Sequence, residues 1–170
     1  MVDLDELREA DEKLTADEKR ENVIRLAFAG DRERFEEFCR VLEDFTPANT
    51  AAVLGGSSVT GHSYKEGAPF DAEGPMTSDL DITFVGNEVI DLYSLEGFWV
   101  PGIHTHPVKE GDDDIAAPEL KKLRHLLQAI AGGRPVTLQA SQDFYYIIRK
   151  DWIGQAYLKL VDKMDQGVDA

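Results

Sequence analysis

Two carboxylates two residues apart, set in an apolar run, are the groups in this sequence best placed to do chemistry. They stand in Thr77-Ser78-Asp79-Leu80-Asp81-Ile82-Thr83-Phe84-Val85. Side chains alternate across a strand, so Asp79 and Asp81 share one face while Leu80, Ile82 and Phe84 anchor the other. Like charges on one rigid face repel unless a cation stands between them, and hard oxygen ligands suit Mg²⁺ (or Mn²⁺). Upstream, Leu54-Gly55-Gly56-Ser57-Ser58-Val59-Thr60-Gly61 ends an apolar run in a small-residue turn. Its backbone N–H groups and hydroxyls can approach a phosphate closely. A phosphate cradle beside metal-binding carboxylates is the equipment of nucleotide chemistry.

Gly-Gly-Ser followed by Ser-Asp-Leu-Asp-Ile resembles the signature of the nucleotidyltransferase superfamily, the polymerase-β-like fold. The matching residues are Gly56 and Ser57, then Asp79 and Asp81 with Leu80 and Ile82. The gap of 22 residues (79 − 57 = 22) is longer than the family's spacing, so an insertion rich in Gly, Pro and polar residues lies between the two parts. A looser likeness of Gly55 to Gly61, Pro69-Phe70 and Ser78-Asp79-Leu80-Asp81 is to a compact, bacterial toxin-like branch. The resemblance implies that Asp79 and Asp81 hold Mg²⁺ (or Mn²⁺) as catalytic ligands and that Gly55, Gly56, Ser57 and Ser58 bind the phosphates of an NTP. It also implies transfer of a nucleoside monophosphate to an acceptor, either a small molecule, a protein or a tRNA.

The family's pattern includes a third carboxylate on a later strand. Here the strand over 135–140 offers only Gln139, a neutral amide that is a weaker cation ligand and a poor base. Gly86-Asn87 favours a tight hairpin between Asp79–Val85 and Glu88–Leu92. In that hairpin Asp91 lies opposite Ile82 and points away from the pair, unless a bulge flips the register. Three readings follow: a site working with two carboxylates, one that borrows Asp91 or Asp143, or an inactive site. The loop over 62–76, punctuated by Gly and Pro, either folds over a substrate, with Tyr64 on a base and Lys65 on a phosphate, or is a plain surface excursion.

A second constellation is His104-Thr105-His106-Pro107. Two imidazoles alternating on one strand face suit a metal, and the motif resembles part of the JAMM-type zinc isopeptidase signature. That signature continues with a serine, and none occurs in Val108–Glu119. A zinc hydrolase using His104 and His106 therefore stands as one alternative, and contact of an exposed His with a triphosphate as another. The bland reading is histidines that pack. A further alternative is the same fold serving as a non-catalytic nucleotide- or protein-binding module.

Elements must position these groups. Residues 3–13 read as a short polar helix with Leu4 and Leu7 as its apolar ridge. Thr15 and Glu18 form a capping-box pattern ahead of a helix through Val23, Ile24, Leu26 and Ala27, ending near Gly30. Asp31 caps a helix whose stripe is Phe35, Phe38, Leu42 and Phe45, and Pro47 ends it. Residues 50–54 form a strand that delivers the chain into the glycine turn. Asp112-Asp113-Asp114 reads as the solvated start of a helix carrying Leu120, Leu123, Leu126, Leu127 and Ile130, closed by Gly132-Gly133. A strand over 135–140, a β-prone segment over 144–148 and a last helix from Trp152 through Ile153, Ala156, Tyr157, Leu160 and Val161 complete the chain. The fold class is α/β (α+β): a small mixed sheet of nucleotidyltransferase type, packed helices on one face and an N-terminal helical arm. It divides into a helical segment over 1–46 and a nucleotidyltransferase-like domain over 47–165, one compact unit overall.

At 170 residues the chain is long enough to bury a core. No apolar run approaches membrane-spanning length and the start carries no signal-peptide pattern, so no membrane partner is expected. The single cysteine, Cys39, excludes an internal disulfide and reads as a packed thiol, which with the lack of targeting signals gives a cytoplasmic expectation. A net charge of −15 opposes bulk nucleic-acid binding and reflects either a solvated, salt-adapted surface or the choice of partner.

Overall fold

A computed structural model describes residues 3–143 and 155–164, and every structural statement below concerns those residues. The strand expected over 144–148, and Trp152 and Ile153 of the expected last helix, lie outside them. The helices of the first third start where their caps predict. Asp3 Oδ1 accepts from the N–H groups of Asp5 and Glu6 at the head of α1 (Leu4–Glu12). Thr15 Oγ1 accepts from Glu18 N at 3.1 Å to open α2 (Ala16–Ala27), with the Thr15 hydroxyl donating back to the Glu18 carboxylate. Asp31 caps α3 (Arg32–Phe45) through Arg34 N. Phe35, Phe38 and Leu42 are buried as the stripe requires, and Phe28 packs edge-on against both Phe35 and Phe38. Cys39 is half-buried beside Phe38, and burial pushes its thiol up to about 11, so it is inert at neutral pH.

The chain is mixed α+β, with seven α-helices and a six-stranded mixed sheet among the described residues. The strands are β1 (Ala51–Gly55), β2 (Leu80–Val85), β3 (Phe98–Val100), β4 (His104–Thr105), β5 (Val136–Ser141) and β6 (Leu158–Asp162), in the order β3-β4-β5-β2-β1-β6. β2 lies in the interior, antiparallel to β1 and parallel to β5. One face carries Ala52, Leu54, Leu80, Ile82, Phe84, Val136, Leu138 and Ala140, all buried in a single core with α2, α3 and α7 (Lys121–Ile130). The other face is mostly polar along β2 and β5: Asp81, Thr83, Thr137, Gln139 and Ser141. No helix among the described residues is long and apolar enough to cross a membrane.

Three expectations are corrected. The hairpin at Gly86-Asn87 does not form, and Asn87–Ile90 is instead a helical turn, α5. Both edges of β2 are already taken by β1 and β5, which leaves no edge for a hairpin partner. Gly86 also lies so close to Thr50 that a Cβ would sit 2.9 Å from its hydroxyl, fixing the chain's exit from the sheet. Second, the segment expected to close the fold as a helix is the strand β6 from Leu158, pairing antiparallel with β1. Its Leu158 and Val161 are buried and Lys159 and Asp162 exposed, a pattern with a bulge that mimics a helical stripe over so short a run. Third, Asp113 is not a solvated helix start. It is buried in the turn α6 (Asp113–Ala116) and paired with Arg124, while α7 begins only after a 3₁₀ turn at Pro118–Leu120.

Candidate functional site

The antiparallel pairing of β1 with β2 sets Gly55 directly opposite Asp81. The chain leaves β1 through Gly56, at φ +88° and ψ −171°, a conformation reserved for glycine. It then enters the turn α4 (Ser57–Thr60). A Cβ on Gly56 would stand 2.9 Å from Asp81 Oδ2, so the backbone of the turn lies against the carboxylate. The result is a cleft of about 330 Å³ lined by Gly56, Ser57, Tyr64, Lys65, Asp79 and Asp81, with Ser63, Glu66 and Gln155 completing its wall.

Gly56→Ala is predicted to be damaging for two separable reasons. The φ value alone costs ~1–2 kcal/mol, and the new methyl displaces Asp81. Gly61, at φ +94° with only Leu26 Cδ1 at 4.0 Å, carries the backbone penalty without that contact. Both variants should therefore unfold at a lower temperature, Gly56→Ala the more so, and a ligand of this cleft should lose roughly tenfold or more in affinity in Gly56→Ala alone.

Asp79 and Asp81 face the same cleft, both half-buried. Burial and then the neighbouring Asp79 charge push Asp81 up to about 6, against the opposing hydrogen bond from Thr137. Asp79 is also raised by burial, with Lys109 the cation that opposes the rise. Two acids that resist ionising together mark a place that gains from a cation. No group of three or more His, Cys, Asp and Glu able to hold a metal occurs among the described residues. Mg²⁺ does not need one, because it commonly binds through one or two carboxylates, substrate phosphates and water. The pair therefore fits Mg²⁺.

The remaining sequence candidates fall in different places. Ser57 lines the cleft, Gly55 is buried at the end of β1, and Ser58 is fully buried beneath the turn, outside the lining. Lys65 is exposed on the cleft wall, and Tyr64 lies beside it with the Arg8 guanidinium 4.2 Å from its ring centroid. In the β5 register Thr137, not Gln139, stands opposite Asp81, and its hydroxyl donates to Asp81 Oδ1 at 2.7 Å. Gln139 lies two residues further on and donates to Thr83 Oγ1. Asp91 follows α5 at the far end of β2, and Asp143 lies beyond Ser141, which pairs with Val85, so neither reaches the pair. His104 is buried in the sheet opposite Ser141, whereas His106 lies past β4 and stacks on Trp99 at 4.3 Å. Only His104 of the two belongs to a strand.

Sequence reasoning missed four participants. Lys109 follows Val108, which bridges to Leu138, so the segment runs alongside β5 toward Asp79. Thr137 and Gln155 carry no local signal. The fourth is a hydrogen-bonded contact, His62 Nε2 to Asp11 Oδ2 at 2.9 Å, which ties α1 to the loop beside the cleft. The loop itself is pinned. Asp71 accepts from Ser78 N and Met76 N and pairs with Arg134, whose hydrogen bond is the main force holding the carboxyl down at about 2.

No family model, no curated protein and no solved structure matches the chain.

Proposed function

We propose that this cleft binds a nucleoside triphosphate with Mg²⁺ and transfers its nucleoside monophosphate to an acceptor, in the manner of the nucleotidyltransferase superfamily that Gly56-Ser57 and Asp79-Leu80-Asp81 resemble. The observation that carries the reading is the convergence of Gly56, Ser57, Lys65, Asp79 and Asp81 on one cleft, although 22 residues separate the serine from the first aspartate (79 − 57 = 22). Asp79 and Asp81 would hold the metal, which supplies charge neutralisation at the phosphate under attack. The backbone at Gly56 and the Ser57 hydroxyl offer hydrogen-bond donors to phosphate oxygens, and Lys65 offers a charge. Thr137 fixes the rotamer of Asp81. A small-molecule, protein or specifically docked tRNA acceptor suits a chain of charge −15 better than bulk nucleic acid.

The test is incubation with each α-labelled NTP and Mg²⁺, alone and with total cell RNA and protein. Label moving to an acceptor supports the reading. Nucleotide that binds with Mg²⁺ and is never turned over favours a second reading, a non-catalytic binding module, to which the occupation of the β5 position opposite Asp81 by Thr137 points. Neither binding nor transfer overturns both.

A linked prediction concerns pH. Asp81 is raised in the fold to about 6, so the folded state holds that proton more tightly than the unfolded chain. The stability tied to it is present below the unfolded value, about 4, and is lost as pH rises through 6. The metal-free protein should therefore melt higher at pH 5 than at pH 7.5 by this contribution. Mg²⁺ should raise Tm by a few degrees at pH 7.5, as binding well above Kd stabilises by ~1–3 kcal/mol, and have almost no effect at pH 5. A Mg²⁺ shift equal at both pH values would remove Asp81 from the metal site.

A further inference from the structure

A second cavity, about 480 Å³, is larger than the cleft with the aspartates, which holds about 330 Å³. It lies at the opposite edge of the sheet from β6, between β3, the segment after β4 and the turn α6. Its floor is close-packed: a Cβ on Gly97 would stand 3.1 Å from the Tyr93 ring and 3.2 Å from Ala116 O. Its walls include the stacked pair Trp99 and His106, with Val108 and Ile115. Trp99 is 64% exposed and Ile115 64%, and Leu95, at 80%, is in the 3₁₀ turn that leads into β3. Three of the five exposed large hydrophobics of the described chain thus fall on this short stretch of surface, and exposed apolar surface concentrated at a concavity marks a binding site. The polar groups of the lining are mainly acidic, Glu96 and Asp112.

We propose that this cavity is a docking site for a basic peptide segment of a partner protein. The segment would add as a strand to β3 and place an arginine or lysine side chain over Trp99, between Glu96 and Asp112. Three observations select this occupant. β3 is the outermost strand, with β4 on one side and no described strand on the other, and an edge strand presents backbone groups that an extended peptide can pair with. Trp99 is 64% exposed, and the indole surface that His106 leaves uncovered is a preferred seat of a guanidinium. The two carboxylates, in a chain of charge −15, attract a cation and repel phosphate, which disfavours nucleic acid, an anionic lipid surface or a second copy of this acidic chain. The site is independent of the nucleotide reading, since none of its lining residues lines the aspartate cleft.

The test is calorimetric titration of the full chain with acetyl-Ile-Arg-Ile-Lys-amide, with its counterpart acetyl-Ile-Glu-Ile-Glu-amide, and with free acetyl-arginine methyl ester. The basic peptide should bind at least tenfold tighter than the other two and weaken as salt is raised. Trp99→Ala should lose roughly tenfold, with an unchanged melting temperature confirming that the exposed side chain was not needed for folding. Glu96→Gln with Asp112→Asn removes two of the fifteen net negative charges (−15 + 2 = −13), so a drop of several-fold in this double variant separates local recognition from general attraction to an acidic protein. Equal binding of the two peptides, no binding of either at millimolar concentration, or an unchanged affinity in the double variant would overturn the proposal. The free ester binding as tightly as the peptide would also overturn it, by making the cavity a small-cation pocket without strand addition.

Discussion

Asp81→Asn should abolish transfer and raise the melting temperature in the same sample. The carboxylate sits half-buried beside Asp79, and burial and that neighbour's charge together push its pKa to about 6. Ionising it at neutral pH costs the fold up to about 3 kcal/mol, at 1.36 kcal/mol per pKa unit. An asparagine removes the charge and keeps an acceptor for the Thr137 hydroxyl, so the 2.7 Å hydrogen bond that fixes its rotamer survives. Stability should rise by ~1–3 kcal/mol, a gain of several degrees for a chain of this size. Activity should fall by about a hundredfold or more, the scale on which loss of one charge-stabilising group in a site is felt. Asp79→Asn should behave alike with a smaller stability gain, because Lys109 already offsets part of that charge. Opposite signs in the two readouts separate loss of a ligand from loss of the fold, which would lower both. Unimpaired label transfer in either variant refutes the assigned role.

The layout of the candidate cleft is legible in the sequence because its two parts are each local. A run of small residues after apolar ones must turn, and alternation in Asp79-Leu80-Asp81-Ile82 puts both acids on one face whatever strand lies beside them. The helix caps at Thr15 and Asp31 were readable for the same reason, since a cap is written within four residues. Apart from β6, whose bulged pattern mimics a helical stripe, the misreadings are matters of partnership between segments distant in sequence. Gly86-Asn87 has hairpin chemistry, but whether β2 has an edge to give depends on β1 and β5, and β5 begins fifty residues after Gly86 (136 − 86 = 50). The residue opposite Asp81 could not be chosen between Thr137 and Gln139 until the parallel register was known, and a shift of two decides whether a hydroxyl or an amide meets the carboxylate. Lys109 and the Asp11–His62 pair are likewise products of packing between distant segments.

The misread acidic run leads to the second large effect: Asp113→Ala should cost roughly 3–5 kcal/mol, the usual consequence of stranding one partner of a buried ion pair. Arg124 has no exposed side-chain surface, and Asp113 meets it with both carboxylate oxygens, Nε to Oδ2 at 2.7 Å and Nη2 to Oδ1 at 2.8 Å. Glu110 also reaches Nη2 at 2.9 Å but is 71% exposed, and Gln128 takes Nη1. Without Asp113 the guanidinium keeps only a solvated counter-charge and one amide, which do not repay its removal from water. At ~2–4 °C per kcal/mol the melting temperature should fall by ~6–20 °C. Glu110→Ala, which leaves the bidentate pair intact, should cost under ~1 kcal/mol, as exposed ion pairs do. Replacing both partners, Asp113→Leu with Arg124→Leu, should recover most of the loss, because the penalty belongs to the unpaired charge and not to the absence of a salt bridge. The contact joins α7 to α6, and α6 forms one wall of the β3 cavity. Asp113→Ala should accordingly loosen that cavity while the aspartate cleft, built on β1 and β2, keeps its shape below the new melting point. A cost no greater than that of Glu110→Ala would mean that the pair is wet in solution and that α6 is held by its apolar contacts alone.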